Sequence, residues 1–171
     1  MAPSGTRIRR LRARLPRQEA LNARRTLERL LVTCDPSENL LPSGALLCIR
    51  QMRDPLPGAL TLTPHSLQPP RRWRDALDTR WQDFLAHASR PFHDPSAAAA
   101  PAVLFADESE LLACLARSAV DGRLRTEWWW TSLLQPDELP DWLRRWQRRS
   151  QILPTALQRL TEDGTLMISS R

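Results

Sequence analysis

Prolines divide the chain into short segments, and this division limits the fold more than any other feature of the sequence. Fifteen of the 171 residues are proline, and five of these lie between residues 54 and 70. Proline ends helices and interior strands because it has no N–H group and restricts the residue before it. We therefore expect one domain over residues 1–171 made of short elements, with a Pro-rich loop at 54–70 and a Pro- and Ala-rich linker at 89–101.

Short apolar runs predict a sheet of about four strands. Segment 7–15 alternates apolar residues with arginine, which favours a strand, although a helix also fits its spacing. Residues 45–53 begin with an apolar run typical of a central strand covered on both faces, and residues 102–106 form another run. We expect residues 165–169 to close the sheet, and residues 61–63 are a candidate edge strand.

Apolar residues spaced three or four apart predict the helices. This periodicity is clear at 18–34 and 71–88, and it recurs at 136–149 and after Pro154. Because Pro140 must then lie in a first turn, we expect the helix at 136–149 to begin near residue 137.

One further helix has recognisable ends. It follows the strand at 102–106, where Asp107 has the position of an N-cap and Glu110 that of its capping-box partner. Gly122 fits a left-handed C-cap at the other end.

The order of these elements predicts an α+β fold with a small mixed β-sheet, helices packed mainly on one face and a helical C-terminal part. Within this fold, we expect residues 7–53 to form a basic strand–helix–strand unit and residues 71–88 a separate helix. Residues 102–171 then combine a strand–helix pair with a Trp-rich helical part.

Every one of the 25 basic residues is arginine, and the absence of lysine excludes several catalytic classes. A Walker A loop, a kinase and a Schiff-base enzyme each need a lysine. A GC-rich bacterial genome explains the arginine bias, and selection for bidentate phosphate or carboxylate binding is the alternative.

The positive charge is concentrated near the N-terminus. Residues 1–30 carry nine arginines against two acids, whereas residues 31–171 carry 16 against 17, so the net charge of +6 comes from residues 1–30.

The sequence contains no recognisable pattern of catalytic or metal-ligating residues. The three cysteines lack a C-x-x-C spacing, so we expect free thiols in a reduced, cytoplasmic protein. The three histidines lack ligand spacing, so we predict no metal, no cofactor and no small-molecule substrate. Asp107, Glu108 and Glu110 resemble the acids of a two-metal site, but helix capping explains them better. No apolar run approaches the roughly 20 residues of a membrane span, so no membrane partner is expected.

Clustered arginines make nucleic-acid binding a candidate function. Phosphate binding needs only cations gathered on one surface, and the Trp128–Trp130 triplet offers stacking surfaces for single-stranded bases. No groove-reading motif accompanies these residues. The candidate phosphate-binding residues are Arg10, Arg12, Arg14, Arg17, Arg24, Arg25, Arg144, Arg145, Arg148 and Arg149.

The tryptophans also suggest a protein interface, which is the function that we favour. Three consecutive indole rings on a strand or loop cannot all enter one core, and tryptophan dominates binding hot spots. A core lid under the C-terminal helices is the alternative. The interface candidates are Trp128, Trp129, Trp130, Trp142 and Trp146. The sequence thus predicts a non-enzymatic subunit of a larger bacterial assembly, and no motif tells a phage-tail-like, secretion or defence apparatus apart.

Overall fold

The computed structural model describes residues 25–27, 29–31, 34, 40–59, 69–134 and 151–162. The chain forms two compact units. Unit 1 comprises residues 1–41 and 52–86, and unit 2 comprises residues 42–51 and 87–171. The expected strand–helix–strand unit of 7–53 is therefore divided between them, and the single domain over residues 1–171 stays a prediction.

Unit 1 is built on helix α1 (Arg71–Ala86), which confirms the helix predicted from the tryptophan spacing. Pro69 and Pro70 precede it, and the Pro70 carbonyl accepts hydrogen bonds from the Trp73 and Arg74 N–H groups in the first turn. Trp73 and Leu77 are buried on its inner face. They pack with Leu30, which lies in the helical residues 25–27 and 29–31.

A side-chain hydrogen bond attaches the loop of unit 1 to α1. The indole Nε1 of Trp73 donates to the Asp54 carboxylate at 2.9 Å, and the same carboxylate oxygen accepts from the Leu56 N–H at 3.0 Å. Leu56 and Met52 pack at the margin of the small core. Residues 52–59 thereby lie against the first turns of α1.

Unit 2 contains a two-stranded antiparallel sheet. Strand β1 (Leu46–Ile49) pairs with strand β2 (Ala102–Phe105), with Leu46 opposite Phe105 and Cys48 opposite Val103. At the opposite edge of β2, Ser89 forms a parallel bridge, accepting from the Leu104 N–H and donating to the Ala102 carbonyl.

The sheet confirms the mixed α+β class but supports only two of the expected strands. Segments 7–15, 61–63 and 165–169 lie outside the described residues. Where the structure is described, β1 has one neighbour and three of its four residues are only half-buried. The central position expected for β1 belongs instead to β2, since β2 has backbone partners on both edges and three buried residues.

Unit 2 also contains three helices: α2 (Glu108–Val120), α3 (Trp128–Leu133) and α4 (Leu153–Glu162). Helices α2 and α3 contact the sheet, and α4 packs against α2. The cap signals of α2 are confirmed. Asp107 is its N-cap, and Gly122 has a φ of +70° just beyond its end. The Gly122 N–H donates to Ala119 and the Arg123 N–H to Ser118, which are the two hydrogen bonds of a Schellman motif.

Residues 89–101 fold into unit 2, whereas the sequence predicted a linker. A 3₁₀ helix (Ala97–Ala99) lies within them, and Phe92 and Ala97 are buried in the core. The Arg117 guanidinium of α2 donates to the Phe92 carbonyl at 2.9 Å and lies 4.7 Å above its ring. Composition alone suggested low complexity here, because it gave no weight to the one large apolar side chain in the segment.

Phe105 fills the centre of the unit 2 core, so replacing it tests the packing. Its side chain is fully buried, and its ring centroid lies 5.8 Å from that of Trp130. We expect Phe105→Ala to lower the free energy of unfolding by about 3–5 kcal/mol, measured by urea denaturation, because it leaves a cavity. Val120→Ala is the control. Since Val120 is 78% exposed, Val120→Ala should change the free energy of unfolding by no more than about 0.5 kcal/mol. Equal effects of the two changes would contradict this core.

Candidate functional site

The tryptophan triplet forms the start of α3, not a strand or a loop. Trp129 and Trp130 are 2% and 1% exposed and belong to the core of unit 2, whereas Trp128 is half-buried. The rings of Trp128 and Trp129 meet edge to face at 5.6 Å. The burial of Trp129 and Trp130 fits the alternative of a core element, and an interface role for these two residues stays a prediction.

The helical backbone explains how two adjacent rings enter one core. Successive residues of a helix differ in direction by about 100°, whereas in a strand they point to opposite faces. The interface argument considered only strand or loop geometry. Trp128, the third ring, stays at the margin of the core, and it is the one candidate interface tryptophan in the described residues that reaches the surface.

A buried carboxylate that sequence analysis missed positions this helix. Glu127, just before α3, accepts from the Trp130 Nε1 at 2.8 Å and the Ser118 hydroxyl at 2.6 Å. Arg123 forms an ion pair with it at 3.0 Å. These donors fix the beginning of α3 against α2. The signal in the sequence was an acid three residues before a tryptophan, a spacing that lets an N-terminal carboxylate meet an indole N–H.

The second polar cluster of unit 2 surrounds Glu110 in the first turn of α2. Its carboxylate is completely buried and accepts two hydrogen bonds from the Arg90 guanidinium, at 3.2 and 2.8 Å. It also accepts from the Ala106 N–H at 2.7 Å. Glu110 was expected to close a capping box on the N-cap residue itself. It binds the Ala106 N–H instead, and both of its oxygens accept from the Arg90 guanidinium.

Asp107 completes this cluster by joining α4 to the start of α2. Its carboxylate accepts from the Glu110 N–H at 2.9 Å, the Ser109 hydroxyl at 2.5 Å and the Arg159 guanidinium at 2.6 Å. Burial alone would raise the pKa of this carboxyl. The hydrogen bonds from Ser109 and Glu110 and the charge of Arg159 outweigh that effect, so the pKa of Asp107 lies below its ordinary value.

These contacts give the two carboxylates a structural role. Asp107 and Glu110 bind donors from the residue after β2, from α2 and α4 and from segment 89–101, which agrees with capping better than with catalysis. His93 has its Nε2 3.9 Å from the Glu110 carboxylate and its side chain is more than half exposed. Within the ranges that the structure covers, no three His, Cys, Asp or Glu side chains are placed to hold a metal ion.

The three cysteines are buried and form no disulfide, as the sequence suggested. Burial raises the pKa of the Cys48 thiol to about 12. Burial also raises the pKa of Cys34, and the neighbouring Arg74, which hydrogen-bonds the thiol, opposes that rise. Cys48 and Cys34 therefore remain protonated near neutral pH and pack as small apolar residues.

The structure describes few of the candidate nucleic-acid residues. Arg25 lies in the helical residues of unit 1 and is exposed. The other nine arginines lie outside the described residues, as do Trp142 and Trp146. The expected basic patch is therefore represented by a single side chain in the part of the chain that is described.

Comparisons with family models, with curated proteins and with solved structures found no match to this chain. None of the described helices has both the length and the apolar composition needed to cross a membrane.

Asp107 offers a test of the polar cluster. We expect Asp107→Ala to lower the free energy of unfolding by about 1–2 kcal/mol near neutral pH, because the N-cap bond is lost. Since the folded-state pKa is lowered, ionised Asp107 stabilises the fold above the unfolded pKa, and this contribution disappears as pH falls through the folded value. The difference in the free energy of unfolding between wild type and Asp107→Ala, measured by urea denaturation, should therefore become smaller below about pH 4.

Asp75→Ala is the matched control for Asp107. Asp75 forms only an exposed ion pair with Arg71, at 4.0 Å, so its removal should change stability by less than about 0.5 kcal/mol. If the difference in the free energy of unfolding between wild type and Asp107→Ala grows as the pH falls, Asp107 does not stabilise the fold as an ionised N-cap.

Proposed function

We propose that this chain is a non-enzymatic subunit that binds other proteins within a larger assembly. The observation that carries the proposal is the set of apolar side chains that unit 2 leaves at its surface. Val120 is 78% exposed and Leu157 is 38% exposed, and they are the large apolar residues in the described ranges that are exposed to this degree. Trp128 adds a half-buried indole ring.

The character of Trp128 fits a protein contact. Its Nε1 atom is buried and has no hydrogen-bond partner in the described structure, so any accessible part of its side chain is hydrocarbon. Tryptophan at the margin of a core supplies a rigid apolar surface at low entropic cost, which is why it is enriched at binding hot spots.

The charge of unit 2 also fits a protein partner. Over residues 42–51 and 87–171, 11 arginines balance 11 acidic residues, so this half has no net charge. A neutral surface with exposed apolar side chains favours association with another protein surface, because little charge must be desolvated. We place such a subunit in the bacterial cytoplasm, where its free cysteines would remain reduced.

The experiment is a crosslinked pull-down of the tagged full-length protein from its native host, after nuclease treatment. We expect defined protein partners with the wild type, and at least a tenfold lower recovery with Val120→Gln/Leu157→Gln, because both changes make exposed apolar positions polar. Ala98→Gln is the control, since Ala98 is also an exposed apolar residue of unit 2. Unchanged recovery with the double variant, or no specific protein with the wild type, would contradict the proposal.

Nucleic-acid binding is the second candidate, and one observation favours it. Unit 1 holds 14 arginines against eight acidic residues, so the whole net charge of +6 belongs to this unit. This excess comes from residues 1–30, because the rest of unit 1 carries five arginines against six acidic residues. A polyanion is the natural partner for such a half.

A further inference from the structure

We propose that unit 1 binds the phosphate backbone of a nucleic acid through an arginine surface at the start of α1. This surface consists of Arg53, Arg71 and Arg72, and we call it the α1 arginine surface. The inference rests on the second candidate function above. It goes further by assigning the contact to residues that sequence analysis had not selected.

The structure brings these arginines together from two segments. Arg71 and Arg72 open α1, and Arg53 precedes Asp54, whose carboxylate accepts a hydrogen bond from the Trp73 indole at 2.9 Å. Because Arg53 adjoins Asp54 in the chain, the hydrogen bond between Asp54 and Trp73 brings the backbone of Arg53 near the first turn of the helix. All three side chains are exposed, and the Arg71 side chain is 95% exposed.

Helix electrostatics do not explain why arginines occupy this position. The N-terminal end of a helix carries partial positive charge, so acids are favoured there and cations are not. The first turn of α1 contains no acid, and two arginines open it. Among the described residues, the ion pair of this surface joins Arg71 to Asp75 at 4.0 Å, between two exposed side chains, so it contributes little. The Asp54 carboxylate, which accepts from the Trp73 indole, offsets part of this repulsion, and a bound anion would offset the remainder.

The chemistry of unit 1 favours phosphates over an acidic protein. Protein interfaces combine charge with an apolar centre, yet both large apolar residues exposed in the described ranges belong to unit 2. A cationic surface without exposed large apolar side chains suits a nucleic-acid backbone, because proteins bind the phosphates through charge and not through apolar contacts. Arginine suits this task because its planar guanidinium binds phosphate oxygens in pairs.

The test measures binding of the full-length protein to a fluorescent single-stranded oligonucleotide by anisotropy, across a salt series. We expect Arg71→Gln/Arg72→Gln to weaken binding and to reduce the slope of log affinity against log salt by about 2, one for each phosphate contact. Arg53→Gln should reduce it by about 1. The matched control is Arg80→Gln/Arg125→Gln, which removes the same charge from exposed positions elsewhere, and its slope should remain close to that of the wild type.

The outcomes separate this inference from the function on which it rests. If the Arg71/Arg72 variant binds as the wild type does while Arg10→Gln/Arg12→Gln/Arg14→Gln abolishes binding, nucleic-acid binding stands and the α1 arginine surface is wrong. Equal losses in the Arg71/Arg72 variant and its matched control would show that only net charge matters, which also overturns the surface. If the wild-type protein does not bind the oligonucleotide but binds poly-glutamate, both nucleic-acid binding and the α1 arginine surface are overturned, in favour of an acidic protein partner.

Discussion

The buried carboxylate of Glu110 joins the parts of unit 2 that are distant in sequence. It receives the guanidinium of Arg90 from segment 89–101 and the N–H of Ala106 at the end of β2, while its own helix starts at Glu108. A carboxylate inside a core is stable only when donors satisfy its oxygens. The path of segment 89–101, the end of β2 and the beginning of α2 are therefore tied to one charged group, and the core around Phe105 forms on this arrangement.

The two units present different surfaces, and this difference links the fold to the proposed functions. Unit 2 is neutral, and its core of Phe105, Trp129 and Trp130 reaches the surface at Trp128. Unit 1 carries the whole net charge, which comes from residues 1–30, and has a smaller core centred on Trp73 and Leu77. A subunit with one apolar and one cationic binding region would join a protein to a polyanion, and each half can be altered without changing the chemistry of the other.

The elements that could be predicted from the sequence depend on local interactions. The N-cap at Asp107, the positive φ at Gly122 and the buried stripe of α1 follow from neighbours within four residues. The ion pairs of Arg90 with Glu110 and of Arg159 with Asp107 join residues 20 and 52 positions apart. No local pattern specifies such pairs.

The candidate site was harder to predict for the same reason. The burial of Trp129 and Trp130 depends on a short helix that the core surrounds, and periodicity cannot detect a helix of six residues. The α1 arginine surface was overlooked because alternating Arg and Asp in α1 suggested an ordinary solvated face. The contact between Asp54 and Trp73, together with the packing of Met52 and Leu56, brings the neighbourhood of Arg53 to that helix.

The stability of Glu110→Ala, measured by urea denaturation together with hydrogen exchange, tests the central claim most directly. The account predicts a loss of about 3 kcal/mol, because the Ala106 N–H and the Arg90 guanidinium lose their acceptor. Faster exchange should appear at the Ser89 and Leu104 amides, which bridge segment 89–101 to β2. Glu110→Gln, which keeps one acceptor oxygen, should lose less. A change of under about 0.5 kcal/mol with unaltered exchange at these amides would contradict the organising role of this carboxylate.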